Sequence, residues 1–588
     1  MARISACVCV ILLLVCSALP ALAQDQADEI SLPPAEGAEV TLRGEVSVSE
    51  LAASEANRQA LEAQQNAPPV EQPVHRLPDG SLTSEPRQAT LDALPSITEP
   101  NAVTRSANAF APTFPSVKGF DGIHEAENVS LNHSDLEPPD QGLAVYNNVA
   151  AEINNNVVQF FNATTGASLA GPIATSAFFL APSGTSLTDT QVFFDPTTKR
   201  WFLDEIISNS GTIEDIAIAV SKTSSATGSY YIYHVRAFSS SLSGCGGIDC
   251  FPDYPKAGYD ANIFIVDVDL FNATSRKFVA AAAYAMPKSK LETGASFTYE
   301  RLTFPNDFVV QPSVPAPGEP FVTAANGTEY LMEARNIMDG STKVRVWAIS
   351  NTNNIVTNPS SLRMSGIDVT GESYGPTVPS TQPNVVGPYC KSQGVTSAPS
   401  LDGGYQAFQA TIQKASGRLY GALAFGSKDG TGLKRDVIAW FVLTPSVTSS
   451  GIVSATIYKQ GYVTPTNGYS LSYPAFGLNK TGAGAMGFTE TNKSASVSGG
   501  YPSASFIQFT GTATTGGIFV TGPGATSDDG FTGCQKPGPG QVGRWGDYGA
   551  ATVDAGTGYF YTANELIPYP KVAPGQAANW GTFITQLH

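Results

Sequence analysis

Six stretches of this chain share one layout, and that recurrence limits the folds open to it. "PPDQGLAVYNNVAAEI", "LTDTQVFFDPTTKRWFLDEI", "FPDYPKAGYDANIFIVDV", "VVQPSVPAPGEPFVTAA", "LSYPAFGLNKTGAGAMGFTET" and "RWGDYGAATVDAGTGYFYTANE" each open on polar or aromatic residues. A short strand of small residues follows, then an Asp, Asn or Pro turn, then an apolar strand. "VTSAPSLDGGYQAFQATI" is a weaker copy, which puts starts near Asp140, Asp189, Asp253, Gln311, Thr396, Ser472 and Asp547. Asp189 to Val235 reads as four strands joined by hairpins, the size of one propeller blade. Units of this kind cannot bury their apolar faces alone and stack radially. The expected fold class is all-β: a seven-bladed β-propeller of four-stranded antiparallel blades. Six or eight blades stay open, because the spacing after Gln311 is loose.

Composition and the N-terminus set the compartment. The chain begins MARISACVCVILLLVCSALPALAQDQ, with Arg3, an apolar run from Ala6 to Leu14, and Ala21-Leu22-Ala23 before Gln24. That is a secretory signal peptide over residues 1–23, its apolar run being too short to span a membrane. The mature protein is expected outside the cell or in the periplasm, soluble and monomeric, with no membrane insertion. A formal charge of -17 with no basic cluster argues against nucleic acid as a partner. Four cysteines follow the signal: Cys245, Cys250, Cys390 and Cys534. An even number in an exported chain favours disulfides. The glycines of Cys245-Gly-Gly-Ile-Asp-Cys250 allow a local loop, which leaves Cys390 for Cys534. Zinc is the rival for these cysteines, but the five histidines are scattered and there is no Cys-x-x-Cys.

Residues 24–115 read differently. "ELAASEANRQALEAQQNAPPVEQPVHRLPDG" is Ala/Gln/Glu-rich and then Pro-rich, with little to bury. It is expected to be a flexible, low-complexity leader or linker with one short helix, ahead of a propeller domain over 116–588. The last repeat offers three clear strands, Gly549 to Val553, Tyr559 to Asn564 and Gly581 to Leu587. A fourth is expected from Ser116 to Ile123, because an open edge strand invites aggregation.

From about Phe120 to the C-terminus the chain resembles exported bacterial proteins of the sialidase-like β-propeller type, many without a known activity. The resemblance rests on "GFDGI", "EPPDQGLAV", "VFFDPTTKRWFL", "AIAVSKTSSATGSYYIY", "FPDYPKAGYDANIFIV" and "RWGDYGAATVD". In such relatives the first motif reads PPD-T-N-G-x-V-G. Here it is Pro138-Pro139-Asp140-Gln141-Gly142, so no role for the lost Asn carries over. The resemblance implies a fold more than an activity, since propellers host hydrolases, lyases, lectins and scaffolds alike.

A sialidase-type hydrolase needs an arginine triad, a Tyr backed by Glu, and an acid Asp. Arg301, Arg335, Arg418, Arg544, Tyr548, Glu565 and Asp253 supply such groups singly. The Ser-x-Asp-x-Gly-x-Thr-Trp repeat of that family has no full copy; Ser400-x-Asp402-x-Gly404 comes nearest. Histidine poverty and the absence of Gly-x-Ser-x-Gly or His-Glu-x-x-His motifs lean the reading away from an enzyme. One constellation stands out. Asp140, Asp189, Asp253 and Asp547 all open innermost strands and would crowd one channel mouth. Either each caps local backbone N–H groups in an Asx turn, or the ring holds a hard cation, calcium being the expected one outside the cell. Tyr254, Arg544, Trp545 and Tyr548 would stand at the same mouth, where aromatic faces beside carboxylates suit a sugar. The reading is non-catalytic recognition of an extracellular carbohydrate or protein there. The alternatives are a carbohydrate-active hydrolase or lyase, and a surface scaffold without a small-molecule site.

Overall fold

The structure is a computed structural model. It describes residues 28–30, 39–65, 70–71, 94, 114–125 and 136–588, apart from short breaks at 156, 210–211, 238–244, 246–249, 305–306, 336–339, 406, 429–431, 466–467, 511–512, 535–540 and 569–577. The signal peptide lies outside the described residues, as does most of 66–113.

The all-β expectation holds. The chain folds into successive up-and-down antiparallel sheets. Their inner strands are Gly142–Tyr146, Ser186–Asp195, Cys250–Tyr259, Gln311–Pro315, Ile412–Ala415, Tyr469–Leu478 and Ala550–Val553. Each inner strand touches the next, and the last touches the first, so the sheets stand radially around an axis. This is a β-propeller. Between Gln311–Pro315 and Ile412–Ala415 the contact is a parallel pairing that fuses two sheets into one.

Local chemistry explains the hairpins. In "FFDPTTKRW" the Asp195 carboxylate accepts the Thr197 N–H at 2.8 Å and the Thr198 hydroxyl at 2.9 Å, an Asx-type turn between two apolar strands. Lys288 Nζ, in the short helix that follows strand Phe278–Pro287 of the next sheet, meets the same carboxylate at 2.7 Å, so the turn also ties neighbours together. The core lies in layers between adjacent sheets. Phe202, Ile218 and Tyr233 of one face Phe264 and Val266 of the next, and the Phe202 and Phe264 rings stack at 4.9 Å.

The ring closes as the strand count requires. Val117–His124 pairs antiparallel with Gly581–Leu587 and becomes the outer strand of the sheet begun by Ala550–Val553. Ser116 and His588 exchange both backbone hydrogen bonds at its end. Both expected disulfides are present, Cys245–Cys250 and Cys390–Cys534.

Two expectations need correction. The repeat start near Thr396 is not an inner strand. Proline at 376, 379, 383, 388 and 399 limits pairing over the described residues of 375–411 to the short strand Ser400–Leu401 and a bridge at Ser380, and the inner strand begins only at Ile412. The described part of the leader is also not idle. Gly44–Ser47 adds a fifth strand to Ser229–Ile232, Glu39–Val40 pairs with Phe297–Thr298, and Asp28–Ile30 pairs with Met364–Gly366. The expected helix spans Glu55–Gln65 and lies against Ser168–Ala174, where Asn57 Oδ1 accepts the Ala174 N–H at 2.9 Å. Val40, Val46 and Val48 are buried, each in a core shared with the sheets or their flank. The segment therefore guards outer sheet edges.

Two truncations separate closing strand from belt. Deleting residues up to His124 removes the strand that joins the ends and is expected to abolish the cooperative melt. Deleting only 24–65 removes Val40, Val46 and Val48 and uncovers the sheet surfaces they pack on but leaves closure intact, and is expected to lower Tm by several degrees. Calorimetry that gave both truncations the same Tm would reject this account.

Candidate functional site at one end of the axis

The site begins with backbone geometry. At or just before the inner strands, Asp140 (φ 50°), Asp189 (60°), Tyr254 (53°), Val309 (54°), Tyr473 (54°) and Asp547 (68°) are all left-handed. Pairing skips beside three of them, between Thr188 and Thr190, Asp253 and Lys256, and Ser472 and Ala475, so these are bulges that turn the strand toward the axis. Such residues persist only where their surroundings hold them. Here the preceding sheet does so. Asn155 Oδ1 accepts the Asp189 N–H at 2.6 Å, Asp189 Oδ2 accepts the Tyr254 N–H at 3.0 Å, and Asp269 Oδ1 accepts the Val309 N–H at 3.2 Å. The repeated position is thus Tyr254 in the third sheet rather than Asp253, because the bulge displaces the count by one residue. Asp189 caps the neighbouring sheet's amide, not an N–H of its own turn.

In "RWGDYG", Gly546 has φ 74°, and a Cβ on it would lie 2.3 Å from the Tyr473 ring. Glycine is required for that ring to pack. Trp545 is buried with Leu143, Val145 and Tyr473, so it is core rather than rim. Arg544 Nη2 donates to Asp547 Oδ2.

The carboxylates do converge. Asn155 Nδ2 donates to Asp140 Oδ2 at 2.7 Å, and Tyr548 Oη donates to Asp189 Oδ2 at 3.1 Å. Asp140, Asp253 and Asp547 stand near enough to Asp189 that these carboxylates repel one another. Burial, then the charges of Asp547 and Asp189, pushes Asp140 well above the usual carboxylate range. Burial also raises Asp189, with Asp253 adding to it. Asp547 is pushed up to about 7, first by burial, while Arg544 pulls the other way. Tyr548 and Tyr254 are both held far above the ordinary phenol range by burial.

One residue here was missed by sequence reasoning. Lys256, from "FPDYPK", places Nζ 3.4 Å from the centroid of the Tyr548 ring and 5.1 Å from that of Tyr254. Burial depresses it to about 8, against the pull of Asp189, Asp547, Asp269 and Asp140. The motif containing it was visible, but a charged side chain in a strand is ordinarily read as solvated.

The four aspartates do not fit a calcium ion held by three carboxylates. Among the described residues, the only donor triad whose atoms lie within 4.8 Å of one another is Cys390, Asp529 and Cys534, and two of its members are disulfide sulfurs. Nor do the arginines gather. Arg335 bonds Asp307 and Glu333, Arg418 stacks on Tyr458 at 3.7 Å, and Arg301 sits in the outer strand Glu300–Phe304. Of these arginines, Arg544 is the one whose charge acts on Asp140 and Asp547. Glu565 accepts the Gly546 N–H at 2.7 Å and is not the partner of the Tyr548 hydroxyl.

Two long connections cover this end. Residues 375–411 and 523–548 are joined by Cys390–Cys534 and by a parallel pairing of Ser400–Leu401 with Val542–Gly543. Asp529 accepts the Tyr389 and Cys390 N–H groups at 2.8 and 2.9 Å, and Gln382 Oε1 accepts the Asp528 N–H at 2.8 Å. They carry Asp402, Tyr405 and Arg544, all partly exposed, over the buried acids. Tyr405 meets Tyr254 edge-on at 5.3 Å. Along the axis from the acids, a narrow cavity is lined by Gln141, Gln191, Gln413 and Tyr259.

No family model matches the chain, and no curated protein matches it in sequence. Among solved structures, an exo-β-1,3-galactanase from Clostridium thermocellum aligns at 12% identity over 80% of this chain and 96% of its own, with a TM-score of 0.28. A phage phi92 endosialidase aligns at 8% over 69% and 68%, with a TM-score of 0.29. An endo-arabinanase from Bacillus licheniformis aligns at 11% over 66% and 96%, with a TM-score of 0.25. Likenesses this distant carry no argument about this chain's activity.

The buried acids make stability depend on pH. A carboxyl whose folded pKa is raised stabilises fully below its unfolded value near 4 and loses that contribution as pH rises through the folded value. For Asp547 that loss accrues from about 4 up to about 7, and for Asp436, whose buried carboxylate accepts the Val378 N–H at 2.8 Å, up to about 8. Lys256 acts oppositely: its penalty is present below about 8 and is relieved as pH climbs toward 10.5. Tm is therefore expected to fall between about pH 5 and 8. Asp547→Asn, which cannot ionise, should flatten the fall. An unchanged slope in thermal melts would place the protons elsewhere.

Proposed function

We propose that this is an exported, seven-bladed propeller that recognises an extracellular glycan, without catalysis, through the covered end of its axis. The observation that carries the reading is the surface formed by Asp402, Tyr405 and Arg544 on two connections tied by Cys390–Cys534. Partly exposed polar and aromatic groups on covalently tied loops are preorganised, so little ordering is lost when a partner binds. An aromatic face beside hydrogen-bonding groups suits a sugar ring.

Catalysis ranks below this reading for two reasons. The Tyr548 hydroxyl donates to Asp189 and is harder to ionise than a free phenol, the reverse of what an activated nucleophile needs. The arginines that would clamp an acidic sugar are spread over separate sheets. A bare scaffold ranks below it because a covalent tie at one face alone would then have no purpose beyond stability.

A glycan array probed with the full mature chain, residues 24–588, tests the proposal. Binding to a defined glycan class is expected, and Tyr405→Ala should weaken it by roughly fivefold or more, since a stacked aromatic is worth on the order of 1 kcal/mol or above. A silent array with folded protein would reject the glycan and leave a protein partner as the reading to pursue. Binding that survives Tyr405→Ala unchanged would move the site off this face.

A further inference from the structure

Lys256 poses a problem that the glycan reading does not touch. Its side chain is only 1% exposed, and its Nζ has no hydrogen-bond partner among the described residues. No carboxylate oxygen among them lies within the 4.0 Å of an ion pair. An isolated buried ammonium costs several kcal/mol, enough to expel or neutralise it. What surrounds it explains why it stays. Nζ sits over the faces of Tyr548 and Tyr254, whose negative quadrupoles attract a cation. Beyond the rings stand Asp140, Asp189, Asp269 and Asp547, and on the next strand Asp267 is its register partner. Asp204 is fully buried without a hydrogen-bond partner among the described residues, and the positive charge acting on it is this same lysine.

We propose that the axial cluster is a cation site whose occupant is tethered: the ammonium of Lys256 is the counter-ion of the carboxylate ring. The cage is shaped for an ammonium rather than for a metal. Calcium requires six to eight oxygens at close range, whereas two ring faces and carboxylates set back from the ion suit a weakly coordinated organic cation. The tyrosines are fixed for that task. Tyr548 is held through its hydroxyl by Asp189 and through its carbonyl by Gln141 Nε2 at 3.0 Å, and Tyr254 through its N–H by Asp189. Removing the lysine side chain past Cβ should leave a site for a free alkylammonium ion of matching length.

Thermal melts of the full mature chain at fixed pH and ionic strength test this. Wild-type Tm is expected to ignore both chelator and added calcium, and metal analysis should find no stoichiometric divalent ion. Lys256→Ala should lower Tm by several degrees, and millimolar propylammonium chloride should restore part of that loss where equal potassium chloride does not. Lys256→Met should show the loss without the rescue, since its side chain fills the space. Three results would overturn the proposal: a stoichiometric divalent metal in the wild type, rescue of Lys256→Ala by calcium instead of the amine, or Lys256→Met as stable as wild type. If neither variant folds, the metal analysis and chelator melts of the wild type still decide against a metal-filled ring or for it.

Discussion

A radial stack of sheets has two ends, and the backbone hydrogen bonds between Val117–His124 and Gly581–Leu587 join them. Everything at the axis depends on that pairing. Without it the sheet begun by Ala550–Val553 would stop one strand short, and contact between Ala550–Val553 and Gly142–Tyr146 would be held by side chains alone. Glu152 strengthens the seam, its carboxylate accepting the Ile123 N–H at 2.9 Å and the Thr582 hydroxyl. Asp554 does the same at the other end of the strands, accepting the N–H groups of Asn147 and Asn148 at 2.8 and 3.0 Å. Buried acids thus serve as acceptors for backbone donors that the ring geometry would leave unpaired.

The same logic runs inward. Three of the left-handed residues at the axis, Asp189, Tyr254 and Val309, give their backbone N–H to a side chain of the preceding sheet. Asn155, Asp189 and Asp269 act this way in turn. A carboxylate in that role must be buried, so its charge becomes a liability that a bound proton or a nearby cation has to offset. Lys256, buried, and Arg544, partly exposed above it, supply positive charge beside these acids. The acid ring is therefore first a consequence of closing the propeller, and any binding role is built on top of it.

Much of this was legible in the sequence. The recurrent starts gave all but one of the inner strands, the three strands of the last repeat called for a closing partner, and cysteine spacing gave both disulfides. The start near Thr396 misled because Asp402-Gly403-Gly404-Tyr405 imitates a repeat opening, down to a left-handed Gly404 with φ 70°, yet the chain stays irregular until Ile412. The leader misled because composition averages over a segment, whereas its packing rests on a few residues such as Val40, Val46 and Val48. Asp253 was placed one residue off because a bulge is a tertiary feature with no fixed signal. Lys256 was passed over because nothing in a sequence tells a buried lysine from a solvated one until its neighbours in space are known.

The two parts of the axis differ in a way that bears on function. Beside the acids the ring is plugged by Tyr254, Tyr548 and Lys256, while the lining farther along is Gln141, Gln191, Gln413 and Tyr259, without a carboxylate among them. A ligand that had to reach the acid ring would need to displace a tethered ammonium and two buried phenols. One that binds the covering loops need displace nothing, because Asp402, Tyr405 and Arg544 already stand partly in solvent above the plug. The tie between Cys390 and Cys534 closes a long loop and, on the chain-entropy view, contributes about 5 kcal/mol by restricting the unfolded chain. Its more local effect is to fix those three side chains relative to each other. On the proposed glycan-binding reading, the buried charges hold the platform and the tied loops above it make the contact.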